Sequence, residues 1–161
     1  MTTKLYVAYG SNLNLEGMWR RCPNAEPVGK ATLSGYRLWF RSVADVVRIK
    51  GAKVPVGIWR ITSECEEALD VYEGVAGGLY RKETVRFRDG REALIYRMNR
   101  RGIMPPTSGY LETIRQGYDD FKLDHTYLQA ALEHSLDRKN PTAFNRWHHA
   151  RRRAREEPRT E

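Results

Sequence analysis

Lys4-Leu5-Tyr6-Val7-Ala8-Tyr9-Gly10-Ser11-Asn12-Leu13 is the stretch from which the fold is read. Residues 4–9 form an apolar run with strand character, and such a run fits a strand covered on both faces. Gly10-Ser11-Asn12 breaks it. Leu15, Met18, Trp19 and Cys22 then recur at helical spacing, with Asn12 or Asn14 as the cap and Pro23 as the stop. A strand ending in a Gly-Ser turn before a helix leaves backbone N–H groups free at the positive end of a helix dipole. Such a place suits an anion, a carboxylate included. No Gly-Lys-Ser/Thr follows the turn, and the three-glycine dinucleotide fingerprint is missing, so neither a Walker loop nor a dinucleotide fold is expected.

Further along, strand-like pieces are expected at about 27–33, 36–42, 45–50 and 54–61, with Gly35, Gly51 and Pro55 as breaks. A helix follows from Ser63, striped by Cys65, Ala68, Leu69 and Tyr72. Ser63 and Glu66 make a capping box, and Gly74 ends the helix. Strands at about 82–88 and 91–98 are joined by the hairpin signal Asp89-Gly90. After Pro105-Pro106 come helices at about 108–120 and 124–138. Neighbouring strands joined by short turns argue for an α+β fold, mainly antiparallel.

Apolar residues at 40% and charged residues at 30% fit a folded globular chain rather than a disordered one. No apolar run reaches the roughly 20 residues of a membrane-spanning helix. The first strand begins where a signal peptide would need its apolar core, so a cytoplasmic protein is expected. Of the net charge of +8, +5 falls in residues 138–161, around Arg151-Arg152-Arg153-Ala154-Arg155. That distribution reads as a basic extension, helical or disordered, and argues against a nucleic-acid-binding body. Cys22 and Cys65 stand 43 positions apart and are expected as buried free thiols. The four histidines form no ligand set, and no metal is expected.

Two features point to chemistry. Glu73, in Leu69-Asp70-Val71-Tyr72-Glu73-Gly74-Val75, closes its helix at the negative end of the dipole and beside the apolar stripe. Both placements raise the basicity of a carboxylate and make it a competent proton-transfer group. Tyr80, after Gly77-Gly78, and Tyr110, after Pro105-Pro106, are candidates to line a pocket. No Ser-His-Asp or Cys-His arrangement is present. Arg81, Arg100 and Arg101 hint at a carboxylate-bearing substrate.

These segments together resemble the γ-glutamylcyclotransferase family, including its antibiotic-tailoring relatives. The likeness runs through Tyr6 to Leu13, Arg21-Cys22-Pro23-Asn24-Ala25, Leu33-Ser34-Gly35-Tyr36-Arg37-Leu38, Val56-Gly57-Ile58-Trp59, Leu69 to Val75, Tyr80, and Pro105-Pro106 with Tyr110. It spans about residues 4–135. The first segment and the one ending at Val75 are the specific ones.

The resemblance implies a compact mixed barrel, mainly antiparallel and flanked by helices, over residues 1–138, with 139–161 as the extension. It implies an acyltransferase/lyase reaction on a small-molecule γ-glutamyl donor, giving 5-oxoproline and a free amine. Glu73 would be the general acid/base. Tyr6, Tyr9, Gly10, Ser11, Asn12, Tyr80 and Tyr110 would bind substrate. No cofactor, metal or membrane is implied, and homodimerisation is left open. A non-catalytic binding module on the same fold and a nucleic-acid-associated protein using the basic tail are the rival readings.

Overall fold

The computed structural model describes residues 2–139. Strand β1 (Thr3–Ala8) leads through a one-turn 3-10 helix (Ser11–Leu13) into α1 (Leu15–Arg21). Asn14 is the cap of α1, its side chain accepting the Gly17 N–H at 2.9 Å. Strands β2 (Glu26–Arg41) and β3 (Val43–Thr62) make one long hairpin, and α2 (Ser63–Tyr72) follows directly. The hairpin β4 (Tyr80–Arg86) and β5 (Glu92–Met98) precedes the two last helices, α3 (Ser108–Asp120) and α4 (His125–Lys139).

The expected breaks at Gly35, Gly51 and Pro55 do not divide the hairpin into four strands. Pairing passes from Ser34–Lys53 to Tyr36–Arg48, so Gly35 alone stands opposite residues 49–52, Gly51 among them, and the two glycines mark one local interruption within continuous strands. Pro55 lies within β3, paired with Thr32. At α2 the cap is Thr62, one residue before the expected Ser63. Its hydroxyl accepts the Cys65 N–H at 3.2 Å, and Glu66 turns to lysines instead of to the helix end.

The sheet order is β2-β3-β1-β5-β4, with β1 and β5 parallel and the other neighbours antiparallel. This is the expected mixed, mainly antiparallel α+β arrangement, but the sheet is not closed, which corrects the expected barrel. The reason lies in strand lengths. β1 pairs only with the Gly57–Thr62 end of β3, so the remainder of the long hairpin projects past it. That remainder meets β5 through side chains rather than a ladder. The Met98 N–H donates to Asp45 Oδ1 at 2.9 Å, and Arg97 Nε donates to the Val46 carbonyl at 3.3 Å. β2 and β4 are therefore edges, and α4 packs on β2.

The core gathers Trp59, Ile58 and Ile61 of β3, Ile95 and Tyr96 of β5, Leu69 of α2 and Ile114 and Tyr118 of α3, all essentially without solvent contact. Gly117 brings α3 onto the turn after β1. A Cβ there would stand 2.6 Å from the Leu13 carbonyl carbon, which no real contact tolerates.

The cysteines also depart from expectation. Packing of α1 against α2 brings Cys22, the C-cap of α1, to Cys65 in the first turn of α2, with Cα atoms 5.1 Å apart, and the two form a disulfide. The expectation of free thiols fails because separation along the chain says nothing about this helix pair. Most of the basic extension expected at 139–161 lies outside the described residues. No described helix is long and apolar enough to cross a membrane.

Candidate active site

The bend after β1 and the end of α2 face each other across a cavity of about 280 Å³. Each is placed by local rules. Glu73 is the C-cap of α2, its N–H donating to the Leu69 carbonyl at 2.8 Å. Gly74, at φ +63°, then reverses the chain as few other residues can. Leu79 closes that reversal, its N–H reaching the Gly74 carbonyl at 3.1 Å, and β4 starts with Tyr80 against the same cavity.

On the opposite wall, Ser11 and Asn12 open the 3-10 turn, whose first N–H groups have no partner within the turn. Asn12 is buried and anchored at both ends. Its carbonyl accepts Trp59 Nε1 at 3.0 Å. Its carboxamide nitrogen donates to Tyr6 Oη at 2.9 Å and to Glu73 Oε1 at 3.4 Å.

All eight residues singled out from the sequence line this cavity: Glu73, Tyr6, Tyr9, the Gly10–Asn12 turn, Tyr80 and Tyr110. The tyrosines form its frame. Tyr9 Oη donates to the Tyr96 carbonyl at 2.5 Å, and Tyr80 Oη donates to the Ala44 carbonyl at 2.9 Å. Tyr110 Oη accepts the Ala44 N–H at 3.0 Å, so β3 is gripped on both sides of one residue. Burial pushes the phenols of Tyr6, Tyr9, Tyr80 and Tyr110 well above their usual range, so they stay neutral and serve as hydrogen-bonding groups.

Glu73 is the carboxylate of the cavity lining. Burial pushes it up to about 7, with the Arg21 guanidinium acting in the opposite direction. The direction agrees with the sequence reading; the cause that dominates is burial. A carboxyl group poised near neutrality both takes and gives a proton, beside backbone donors suited to a negatively charged oxygen.

Several lining groups were missed from sequence. Tyr72, next to Glu73, was read only as part of an apolar stripe, yet it is 44% exposed and its hydroxyl shares a 3.0 Å hydrogen bond with Ser11 Oγ across the cavity edge. Tyr96, Ala44 and Val43 come from strands whose pairing decides what they face. The arginines behave differently from the expectation of a carboxylate-reading mouth. Arg81, Arg100 and Arg101 are not among the lining residues, and Arg81 is engaged with Glu83 at 2.9 Å and with the Met98 carbonyl at 2.8 Å.

Comparison with known proteins adds a second line of evidence. The family described as gamma-glutamyl cyclotransferase, AIG2-like, matches residues 6–118. The chain is 30% identical to the bovine gamma-glutamylcyclotransferase over 129 residues, covering 70% of this chain and 69% of the bovine protein. It is 29% identical to the mouse gamma-glutamylcyclotransferase over 143 residues, covering 79% and 76%. A solved gamma-glutamyl cyclotransferase structure superposes with a TM-score of 0.70 at 26% identity, covering 81% of this chain and 86% of that one.

Proposed function

The chain belongs to the gamma-glutamyl cyclotransferase, AIG2-like family, and on that premise we propose that it converts a γ-glutamyl amine, amino acid or peptide into 5-oxoproline and the free amine, with Glu73 moving the proton. The observation that supports this most is the single cavity shared by the Glu73 carboxyl and the Gly10–Asn12 turn.

The substrate carries its own nucleophile. Its α-amine closes a five-membered ring on the γ-carbonyl, and the intramolecular attack supplies the effective concentration that a protein nucleophile would otherwise provide. The bond from the α-nitrogen to the γ-carbonyl carbon forms, and the amide bond to the leaving group breaks. Proton traffic is what the protein must manage. Glu73, ionised, accepts a proton from the attacking amine; protonated, it returns that proton to the departing amine. A carboxyl poised at about 7 is suited to both halves. On this reading the backbone amides of the Gly10–Asn12 turn meet the substrate carboxylate or the developing oxyanion, a role supported by their place in the cavity lining.

The test is turnover of γ-glutamyl-alanine and a panel of γ-glutamyl amines, read as 5-oxoproline formed. Glu73→Gln keeps the shape and removes the base, and is expected to lower kcat/KM by about 10²- to 10⁴-fold. Activity that survives the substitution overturns the role of Glu73. Binding without turnover across the whole panel overturns the reaction.

A further inference from the structure

Arg21, the last residue of α1, reaches toward the site from outside the cavity lining. Its Nε and Nη2 both donate to Asn12 Oδ1, at 3.0 and 2.8 Å. Its guanidinium lies over the ring of Tyr72, 3.9 Å from the centroid. With the Asn12 oxygen held by two charged donors, the carboxamide nitrogen has one direction left, and that direction is Tyr6 and Glu73. α1 is itself pinned one residue further on, where Cys22 is bonded to Cys65 of α2.

We propose that Arg21 is a positioning residue of this site: its guanidinium fixes the Asn12 carboxamide with the amide hydrogens facing Tyr6 and Glu73.

The same guanidinium also enters the charge balance around Glu73. Facing it are Tyr6 of β1, Tyr9 just beyond that strand, Tyr80 of β4, Tyr110 of α3 and Tyr72 of its own helix, all of them phenols. Asp45 of β3 acts on Tyr9 and Tyr80 and is paired with Arg41 at 2.9 Å. Asp70 and Glu66, earlier on α2, are paired with Lys82, and Glu66 also with Lys4. Arg21 is the charged group that bears on the Glu73 carboxyl, favouring its ionised form against burial.

This inference rests on the proposed reaction for its kinetic readout but not for its direct one. The direct readout is a carbon-13 NMR titration of the Glu73 carboxyl in the full chain, assigned by its loss in Glu73→Gln. Arg21→Met is expected to move that titration upward in pH and to carry the acidic limb of kcat/KM with it. The accompanying loss at pH 7 is expected to be about tenfold, short of the 10²- to 10⁴-fold cost of removing the base. Arg21→Lys keeps the charge but not the planar two-donor grip. It is expected to leave the acidic limb in place while lowering kcat. Amide spectra of each variant establish that it is folded, and Arg21→Lys preserves the test should Arg21→Met fail to fold. An unmoved Glu73 titration in Arg21→Met, or wild-type kcat in Arg21→Lys, overturns the proposal. A wild-type protein with no turnover overturns the reaction instead, and the carboxyl titration still decides for or against Arg21.

Discussion

Glu66 and Glu73 stand seven residues apart on the same helix and meet opposite fates. Glu66, two turns earlier, lies between Lys4 and Lys82, bonded to both, and these partners hold its carboxyl below the usual range despite some burial. Glu73, at the helix end, is pushed up to about 7 by burial, with one cation opposing at a distance. Composition and helix type are common to both; neighbours and solvent are not. The first arrangement resembles an ordinary partly exposed ion pair. The second keeps a carboxyl near its midpoint at neutral pH, which is where perturbed groups mark functional sites.

The disulfide tests whether the two ends of α2 are independent, and carries the largest expected effect on stability. It ties Cys65, beside Glu66, to α1 and closes a loop of some forty residues. Replacing both cysteines by alanine is expected to lower the unfolding free energy by about 3–4 kcal/mol, measured by denaturant titration. If the Cys65 end only anchors the helix pair, the Glu73 carboxyl titration moves little in the same variant. A large movement would mean that the two ends act as one unit.

Next in size is the cost of the poised carboxyl itself. Its folded-state value of about 7 lies above the unfolded value of 4.5, so the native state binds the extra proton between them. Stability from this group is present at low pH and is lost as pH rises from about 4.5 through 7. The loss amounts to about 3 kcal/mol above pH 7. Glu73→Gln removes it. The variant is expected to match the wild type near pH 4 and to exceed it at pH 8, while losing activity. Equal stability at both pH values would place the carboxyl in water and dissolve the contrast with Glu66. Stability given up at a residue in return for activity is the usual trade at active sites, and this pair of measurements tests whether Glu73 makes it.

How much of this contrast was legible in the sequence follows from the range of each signal. The bend at Gly10-Ser11, Glu73 as the last residue before Gly74 and the turn at Asp89-Gly90 are local, and each is where its neighbours said it would be. Gly35 and Gly51 misled because a glycine reads alike as a strand end and as a local interruption of pairing; only the partner strand distinguishes them. Arg21 and Tyr72 were inside recognised segments but carried no sign of meeting, since their contact is made by two helices packing. The Cys22–Cys65 bond escaped for the same reason. Closure of the sheet was expected from likeness; the lengths of β1 and β3, which leave it open, come only from register.

The smallest expected effect falls on Glu66, and its sign is what gives it value. Its carboxyl is lowered relative to 4.5, so its contribution to stability is present above the unfolded value and is lost as pH falls through the folded one. The pairs with Lys4 and Lys82 are partly open to solvent and are screened by salt. Glu66→Gln is therefore expected to destabilise by no more than about 1 kcal/mol at pH 7, and by less in high salt. Its pH trend runs opposite to that of Glu73→Gln: the variant and wild type converge as pH falls, where the other pair converges too, but from the unstable side. Turnover, where Glu73→Gln loses about 10²-fold or more, is expected to stay at the wild-type level, because Glu66 is not part of the cavity lining. Thermal unfolding across pH with both variants in parallel reads the two signs in one experiment. Were Glu66→Gln to stabilise the protein at pH 8, the two carboxylates would share one environment, and the helix would have no functional end.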